Sequence, residues 1–531
     1  MKIVKRDGRI VEYNREKIYM AIKNDNRDVK EDERATDKEI NKIIKYIEDL
    51  NKKRILVEDI QDIIETELMK LKRYNLAKEY IIYRYTRALV RKRNTTDESI
   101  LSIIKNKKTN SIEKTNKLVS QEHDLIAGEV SKDLSKRILW PVKIRNAYDD
   151  GIIYFHDADY FVHPMISDVL INYDDMLENG TIINNIVIDK PKSFNEACNI
   201  LSQIIIDVQK NIYGTIMLNI KYLSKYLKKS TELKEGIKNL LYNLLCNSKE
   251  KELPSIIILL EPCDDIVVSI IEELFKQFDL IKYENKFNNN IELIYLLNNE
   301  TKKDGKYFHL TKKAIDLTKT INTPSYININ NSLITNKFNQ GMVTINLAQI
   351  ILETKNNEEL FWKTLDERLD ICYDSLLCKY HYLLGTTSNV SPILWQHGGI
   401  KRLEKDEKID KLLYTESTLV LGYLGLNKIK DTFDDDFVIK LLKYLKKKCN
   451  NWSKETNLNF ILLPTINKSI ATYLKRIDQE KYDIKETSYN NLLDEENNHQ
   501  PIRFVNLNKK TDIELLLDNA YNNEQYIKFI K

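Results

Sequence analysis

The residues of this chain best suited to chemistry crowd into one stretch, Tyr154 to Gly180, where His156, Asp157, Asp159 and His163 alternate with Phe155, Tyr160, Phe161 and Met165. An apolar, strand-like run, Val169 to Ile171, follows. Imidazoles and carboxylates set among aromatic rings need partners if buried. The stretch therefore reads either as a polar site or as a hydrogen-bonded loop joining a helix to a strand in a large α/β domain. The other reactive side chains offer less. Six cysteines, at 198, 246, 263, 372, 378 and 449, are irregularly spaced with no Cys-x-x-Cys pair, which gives neither a zinc knuckle nor a redox couple and predicts buried, reduced thiols. The seven histidines are scattered without a His-Glu-x-x-His pair, and no Gly-x-x-x-x-Gly-Lys-Ser/Thr loop occurs, so neither a metal site nor P-loop hydrolysis is expected.

Composition bounds what can hold such residues in place. A chain of 531 residues, 42% apolar and 31% charged, has the makeup of a globular protein of several domains with a large core. Its 83 basic and 79 acidic side chains leave a net charge of only +4, which gives no long-range field to favour nucleic acid or an anionic membrane. The amino terminus is charged and lacks the apolar core of a signal peptide. Apolar runs such as Ile256 to Leu260 are far too short to span a bilayer, so a cytoplasmic protein is expected.

Along the chain, Ile3 to Val11 alternates as a hairpin, with Asp7-Gly8 suited to a type I′ turn. Four helical patterns follow. Asn14 can cap the first, with Ile18, Ala21 and Ile22 on one face, and Thr36 with Glu39 makes a capping box for the second, with Ile40, Ile43, Ile44 and Ile47 inward. The third runs near Glu58 to Leu71, and the fourth from Leu76 to about Arg91 through Tyr80, Tyr83 and Leu89. Residues from Arg93 to about Asn116 turn polar, as a linker would. A helix ending before Pro141 then leads into the His156 stretch, and Pro191-Lys192-Ser193 opens another amphipathic helix.

Two resemblances organise these pieces. Lys5-Arg6-Asp7-Gly8-Arg9, Asn14-Arg15-Glu16-Lys17-Ile18, Val57-Glu58-Asp59-Ile60 and Tyr80-Ile81-Ile82-Tyr83-Arg84 arrive in the order found in ATP-cones, the domains that bind ATP or dATP and set the activity of ribonucleotide reductases. The resemblance implies a nucleotide-binding regulatory domain over residues 1–93, a linker over 94–115, and a site built from Lys5, Arg6, Asp7, Gly8, Arg15, Lys17 and Arg87, with ATP or dATP as effector. A turn bearing Lys5, Arg6 and Gly8 would offer charge and backbone N–H groups to phosphates, and Lys17 and Arg87 could close over them. The bland reading is a solvated basic hairpin.

Residues 116–531 resemble class III, or anaerobic, ribonucleotide reductases, which are glycyl-radical enzymes. The resemblance rests on His156-Asp157-Ala158-Asp159-Tyr160, Pro164-Met165, Met176-Leu177-Glu178-Asn179-Gly180, Phe338-Asn339-Gln340-Gly341, Pro392-Ile393-Leu394-Trp395, Leu421-Gly422-Tyr423-Leu424-Gly425 and Glu455-Thr456-Asn457, again in the family's order. It implies a ten-stranded α/β barrel, preceded in sequence by the small helical cone with its hairpin lid, and an inward finger at Ser325 to Ser332. It also sets Asn339 beside the substrate ribose, with His156, Asp157 and Asn346 near the site.

The family's reaction, reduction of ribonucleotides to deoxyribonucleotides for DNA synthesis, relays hydrogen atoms from a glycyl radical to a finger cysteine and on to the ribose. A second cysteine assists. Here the second cysteine's place, four residues after Pro164, is Asp168, and no cysteine lies between 264 and 371. The carboxyl-terminal segment Tyr526 to Lys531 resembles the strand before the family's zinc and radical-glycine segment, so neither zinc nor a glycyl radical is expected. Oxygen–hydrogen bonds are too strong to replace the thiols in such a relay. The implied role is an inactive paralogue that binds ATP or dATP and regulates, as a homodimer or in a heterodimer with an intact reductase. One piece of a split reductase and a nucleotide-holding structural protein are the alternatives.

Overall fold

The computed structural model describes residues 2–4, 10–26, 29–50, 54–82, 119–247, 255–284, 291–329, 337–482, 489, 502–506, 513–522 and 526–530. It divides into two compact units, Met1–Val130 and Ser131–Lys531.

In the first unit β1 (Lys2–Val4) pairs antiparallel with β2 (Ile10–Glu12) and parallel with β3 (Arg54–Leu56), giving a sheet of order β2-β1-β3. Helices α1 (Arg15–Asp25), α2 (Asp37–Asp49) and α3 (Val57–Lys70) and a helical stretch over residues 74–82 supply Ile22, Ile40, Ile44, Ile64 and Leu76 to one buried cluster. The Asn14 side chain accepts from the Lys17 N–H at the start of α1. The capping box is also formed, Thr36 accepting from the Glu39 N–H while the Glu39 carboxylate accepts from that of Thr36. Val4 faces Ile10 and Ile3 faces Val11 across the hairpin, and the turn expected at Asp7-Gly8 falls outside the described residues. Residues 5–9, Arg87 and the expected linker lie outside the described residues.

The second unit is an α/β barrel. Strand β4 (Ile153–Phe155) is an antiparallel accessory on one barrel strand, and β6 (Thr181–Ile183) with β7 (Ile186–Ile188) forms a separate hairpin. The barrel itself has two halves. Strands β5 (Val169–Leu170), β8 (Ile216–Asn219), β9 (Ile256–Leu260), β10 (Ile291–Leu297) and β11 (Ser325–Asn328) run parallel. Strands β12 (Phe338–Asn346), β13 (Ser417–Leu424) and β14 (Phe460–Pro464) are parallel to one another, as are β15 (Ile502–Asn506) and β16 (Tyr526–Ile530). The halves meet antiparallel at β5–β12 and β11–β16. Parallel strands need crossovers, and helices such as Phe194–Val208, Asp265–Glu284 and Glu358–Leu383 connect them and pack outside.

Closure of the sheet follows from its core. The strands at the two ends of the ladder, β14 and β15, contribute Leu463 and Ile502 to the same cluster as Leu259, Ile294, Leu296 and Ile327 of the other half, so the sheet curls around these side chains. Residues expected to form an inward finger are placed otherwise. Ser325 to Asn328 is a buried barrel strand, paired with β10 on one side and β16 on the other. With Ile329 a turn residue just beyond it, only 330–332 of the expected finger remain, and they lie outside the described residues. The strand was hidden because its two side-chain faces are both covered, which removes the alternation that reveals a half-buried strand.

Candidate functional site

Asp168 stands immediately before β5 and is held from two other strands. Its Oδ1 accepts from the Thr215 N–H at 2.8 Å and its Oδ2 from Asn339 Nδ2 at 3.0 Å. Backbone bonds tighten the same joint, Asn339 N–H to Asp168 O and Ser167 N–H to Asn339 O, each 2.8 Å. The carboxylate fits because residue 214 is glycine, where a Cβ would overlap Asp168 Oδ1 and come within 2.6 Å of Ser167 O. Asn339 and Asp168 are thus brought together, but as partners of each other. The Asn339 Oδ1 is also taken, accepting from the Gly341 N–H at 3.0 Å across the β12 bulge.

The His156 stretch packs behind this joint. Trp140 stacks on Phe155 with centroids 4.8 Å apart, and Phe161 meets both rings edge-on. His156 is enclosed by protein with Nε2 2.7 Å from Thr344 Oγ1, and burial pushes its pKa down to about 3, so the imidazole is neutral. Asp157 adopts a left-handed backbone, φ 52°, at the turn. Asn346 is committed elsewhere, capping the helix Leu347–Thr354 and donating to Gly151 O and to the buried carboxylate of Asp478.

Lys379 was not singled out by sequence. Its helix buries Phe361, Leu365, Leu369, Cys372 and Leu376 at spacings of three and four, and Lys379 falls on the same stripe, which is the signal that could have found it. Its Nζ lies 5.2 Å from the Phe161 ring centroid and 5.5 Å from that of Tyr213, buried with no hydrogen-bond partner. Burial lowers its pKa to about 8, against the opposing pull of Asp157.

At the carboxyl ends of the first-half strands a cavity of about 510 Å³ opens, lined by Leu170, Asn172, Asn219, Lys221, Glu261 and Lys337 among others. Glu261 Oε2 accepts from Lys221 Nζ at 2.7 Å and from Asn219 Nδ2 at 2.6 Å. Burial works to lower the Lys221 pKa, yet its hydrogen bond and charge contact with Glu261 raise it. None of the six cysteines belongs to the inner cluster: five lie in outer helices, and Cys263 follows β9. Among the described residues no group of three or more His, Cys, Asp or Glu side chains could hold a metal ion, and no helix is long and apolar enough to cross a membrane.

In the first unit only Arg15 and Lys17 of the expected phosphate-binding set are described. Arg15 donates to Asn41 at 2.9 Å and stands 3.7 Å from Glu48, tying α1 to α2, while Lys17 is exposed on α1.

Comparison with known proteins agrees in sequence and in shape. The family model for anaerobic ribonucleoside-triphosphate reductase matches residues 56–255 and 280–522, and that for the ATP cone domain matches 1–89. The chain is 25% identical to the anaerobic ribonucleoside-triphosphate reductase of Haemophilus influenzae over 580 residues, covering 91% of this chain and 79% of that one. It is also 25% identical to the enzyme of that name from Enterobacteria phage T4, covering 70% and 72%. Among solved structures, an anaerobic ribonucleotide reductase superposes with TM-score 0.65 at 12% identity, over 83% of this chain and 84% of that one. The Thermotoga maritima reductase with dATP bound in the specificity site gives 0.63 at 13%, over 81% and 87%. A chain with this barrel, matched over most of its length by the family model, belongs to the anaerobic ribonucleoside-triphosphate reductase family and carries an amino-terminal ATP-cone.

Proposed function

We propose that this family member binds nucleotides without reducing them, acting as an ATP- or dATP-responsive partner in deoxyribonucleotide metabolism. The observation that carries the reading is the state of Asp168. A carboxylate fixed by Thr215 and Asn339 occupies the place where the family resemblance implies a thiol, and it cannot relay a hydrogen atom. Two further features support it. The barrel interior holds packed aliphatic side chains from both halves, and no cysteine is among them. Asn339, which the resemblance sets beside a ribose, has its amide engaged on both sides.

The cone is where binding is retained. Its described residues share one buried core, its first two helices are capped by Asn14 and Thr36, and Lys17 is left exposed. The dATP seen in the Thermotoga maritima neighbour makes a nucleotide effector the natural ligand class for this chain as well. The test is an anaerobic assay of the full chain with a radical-SAM activase, formate, CTP and ATP, run beside ATP calorimetry. The reading expects saturable ATP binding with no deoxynucleotide and no glycyl radical signal. Formation of dCTP would overturn it.

A further inference from the structure

We infer that the outer face of the helix Asp435–Thr456 is a docking surface for an acidic α-helix of a partner protein. From Phe437 to Lys454 this helix carries six lysines, at 440, 443, 446, 447, 448 and 454, and no acidic residue, in a chain whose net charge is only +4. Two of them are already paired. Lys440 meets Glu358 at 3.2 Å and Lys448 meets Asp366 at 2.8 Å, both on the neighbouring helix Glu358–Leu383, and their ammonium groups lie over the rings of Trp362 and Tyr444. The other four are exposed and make no ion pair or hydrogen bond among the described residues. With 3.6 residues per turn, Lys443, Lys446, Lys447 and Lys454 fall on one side of the helix, opposite the buried Leu441, Leu445 and Trp452, and form a cationic stripe about 16 Å long.

The needs of the fold do not account for this stripe. Lys454 complements the carboxyl end of the helix dipole, but that effect is confined to the last turn, and Lys443, Lys446 and Lys447 lie two turns or more from the end. Lys443 has Lys446 and Lys447 three and four residues on, like charges one turn apart that weaken a helix rather than support it. The surroundings select the partner. Glu359 and Glu367 stand exposed on the neighbouring helix, and Asp434, Asp435 and Asp436 are exposed at the amino-terminal end of the lysine helix itself. A nucleic-acid duplex, broader than one helix, would bring its phosphates against these carboxylates, and the chain has no net field to draw it in. A partner helix is narrow and has the same rise per residue, so carboxylates spaced like the lysines, at offsets of three, four and eleven residues, would meet all four.

The experiment titrates the full chain into a fluorescein-labelled synthetic helix with glutamates at those offsets and reads anisotropy. A peptide of the same composition with its glutamates spread around the helix, and a labelled DNA duplex, are run beside it. The patterned helix should bind at least about tenfold tighter than either, and should lose affinity as salt rises from about 0.05 to about 0.5 M. Lys443→Glu with Lys447→Glu should weaken it about tenfold or more, whereas Lys228→Glu with Lys229→Glu, the same change of charge at exposed lysines elsewhere, should not. Lys443→Gln with Lys447→Gln should leave the melting temperature unchanged or higher, because it removes like-charge contacts. No binding of the patterned helix, equal affinity for the two peptides, a duplex bound as tightly, equal losses in the two charge-reversed variants, or a lower melting temperature in the glutamine variant would each overturn the inference.

Discussion

Asp168 and Lys379 show how differently two ionisable side chains can sit a few residues' breadth from one another in the fold. Asp168 is satisfied on both oxygens, so Asp168→Ala strands the Thr215 N–H and the Asn339 amide and should cost about 2–4 kcal/mol in urea denaturation. Asp168→Asn, keeping one acceptor, should cost less. Lys379 is the opposite case, a buried ammonium with no hydrogen bond. With a pKa near 8 in the folded protein and the ordinary value of 10.5 unfolded, the unfolded chain binds more protons between those values. Stability contributed by this group is therefore lowest below pH 8 and rises toward pH 10.5. Lys379→Met, of similar length and apolar, should raise the melting temperature at pH 7 and flatten that rise; a lower melting temperature at pH 7 would show that the two rings hold the cation favourably.

At the scale of elements, what the sequence revealed tracks how local the cause is. The α2 capping box lies within four residues and could be read directly, as could the apolar spacing that buries Ile40, Ile43, Ile44 and Ile47. Strand β3 was missed because three residues, Arg54–Leu56, carry no period, and only pairing with β1 makes them a strand. The finger was misplaced for a related reason, since Ser325 and Tyr326 become strand through neighbours brought from β10 and from β16 near the end of the chain. Of the candidate site, Asp168 and Asn339 were visible as motif positions, but nothing local says that they hydrogen-bond to each other. Strand β16 gives a test of such a distant tie. Glu292 accepts from Ser325 at 2.9 Å and from Tyr526 at 3.0 Å, and pairs with Lys528 at 2.7 Å. Glu292→Leu leaves Lys528, only 19% exposed, without its carboxylate, and should speed amide exchange in β16 about tenfold or more while β12 and β13 stay protected.

For the molecule as a whole, two units with separate cores allow binding and catalysis to diverge. The cone has its own buried cluster and is matched by its own family model over residues 1–89. On the proposal that Lys5 and Lys17 each meet a phosphate, replacing both by Ala should weaken ATP or dATP binding to the full chain by about two orders of magnitude. The barrel's melting transition should not move. Equal affinity in the double variant would place the phosphates elsewhere. The lack of cysteines in the inner cluster has a further consequence, for handling in air. A radical enzyme must be shielded from oxygen because dioxygen attacks the carbon radical and its thiols. Here the inner cluster is aliphatic and aromatic, and Cys198, Cys372 and Cys449 are buried with burial raising their thiol pKa values, which leaves Cys378 half-buried and Cys246 and Cys263 exposed. An aerobically purified sample should therefore keep its full nucleotide-binding stoichiometry, and its oxygen sensitivity should reduce to slow oxidation at Cys246 and Cys263, with half-buried Cys378 slower still.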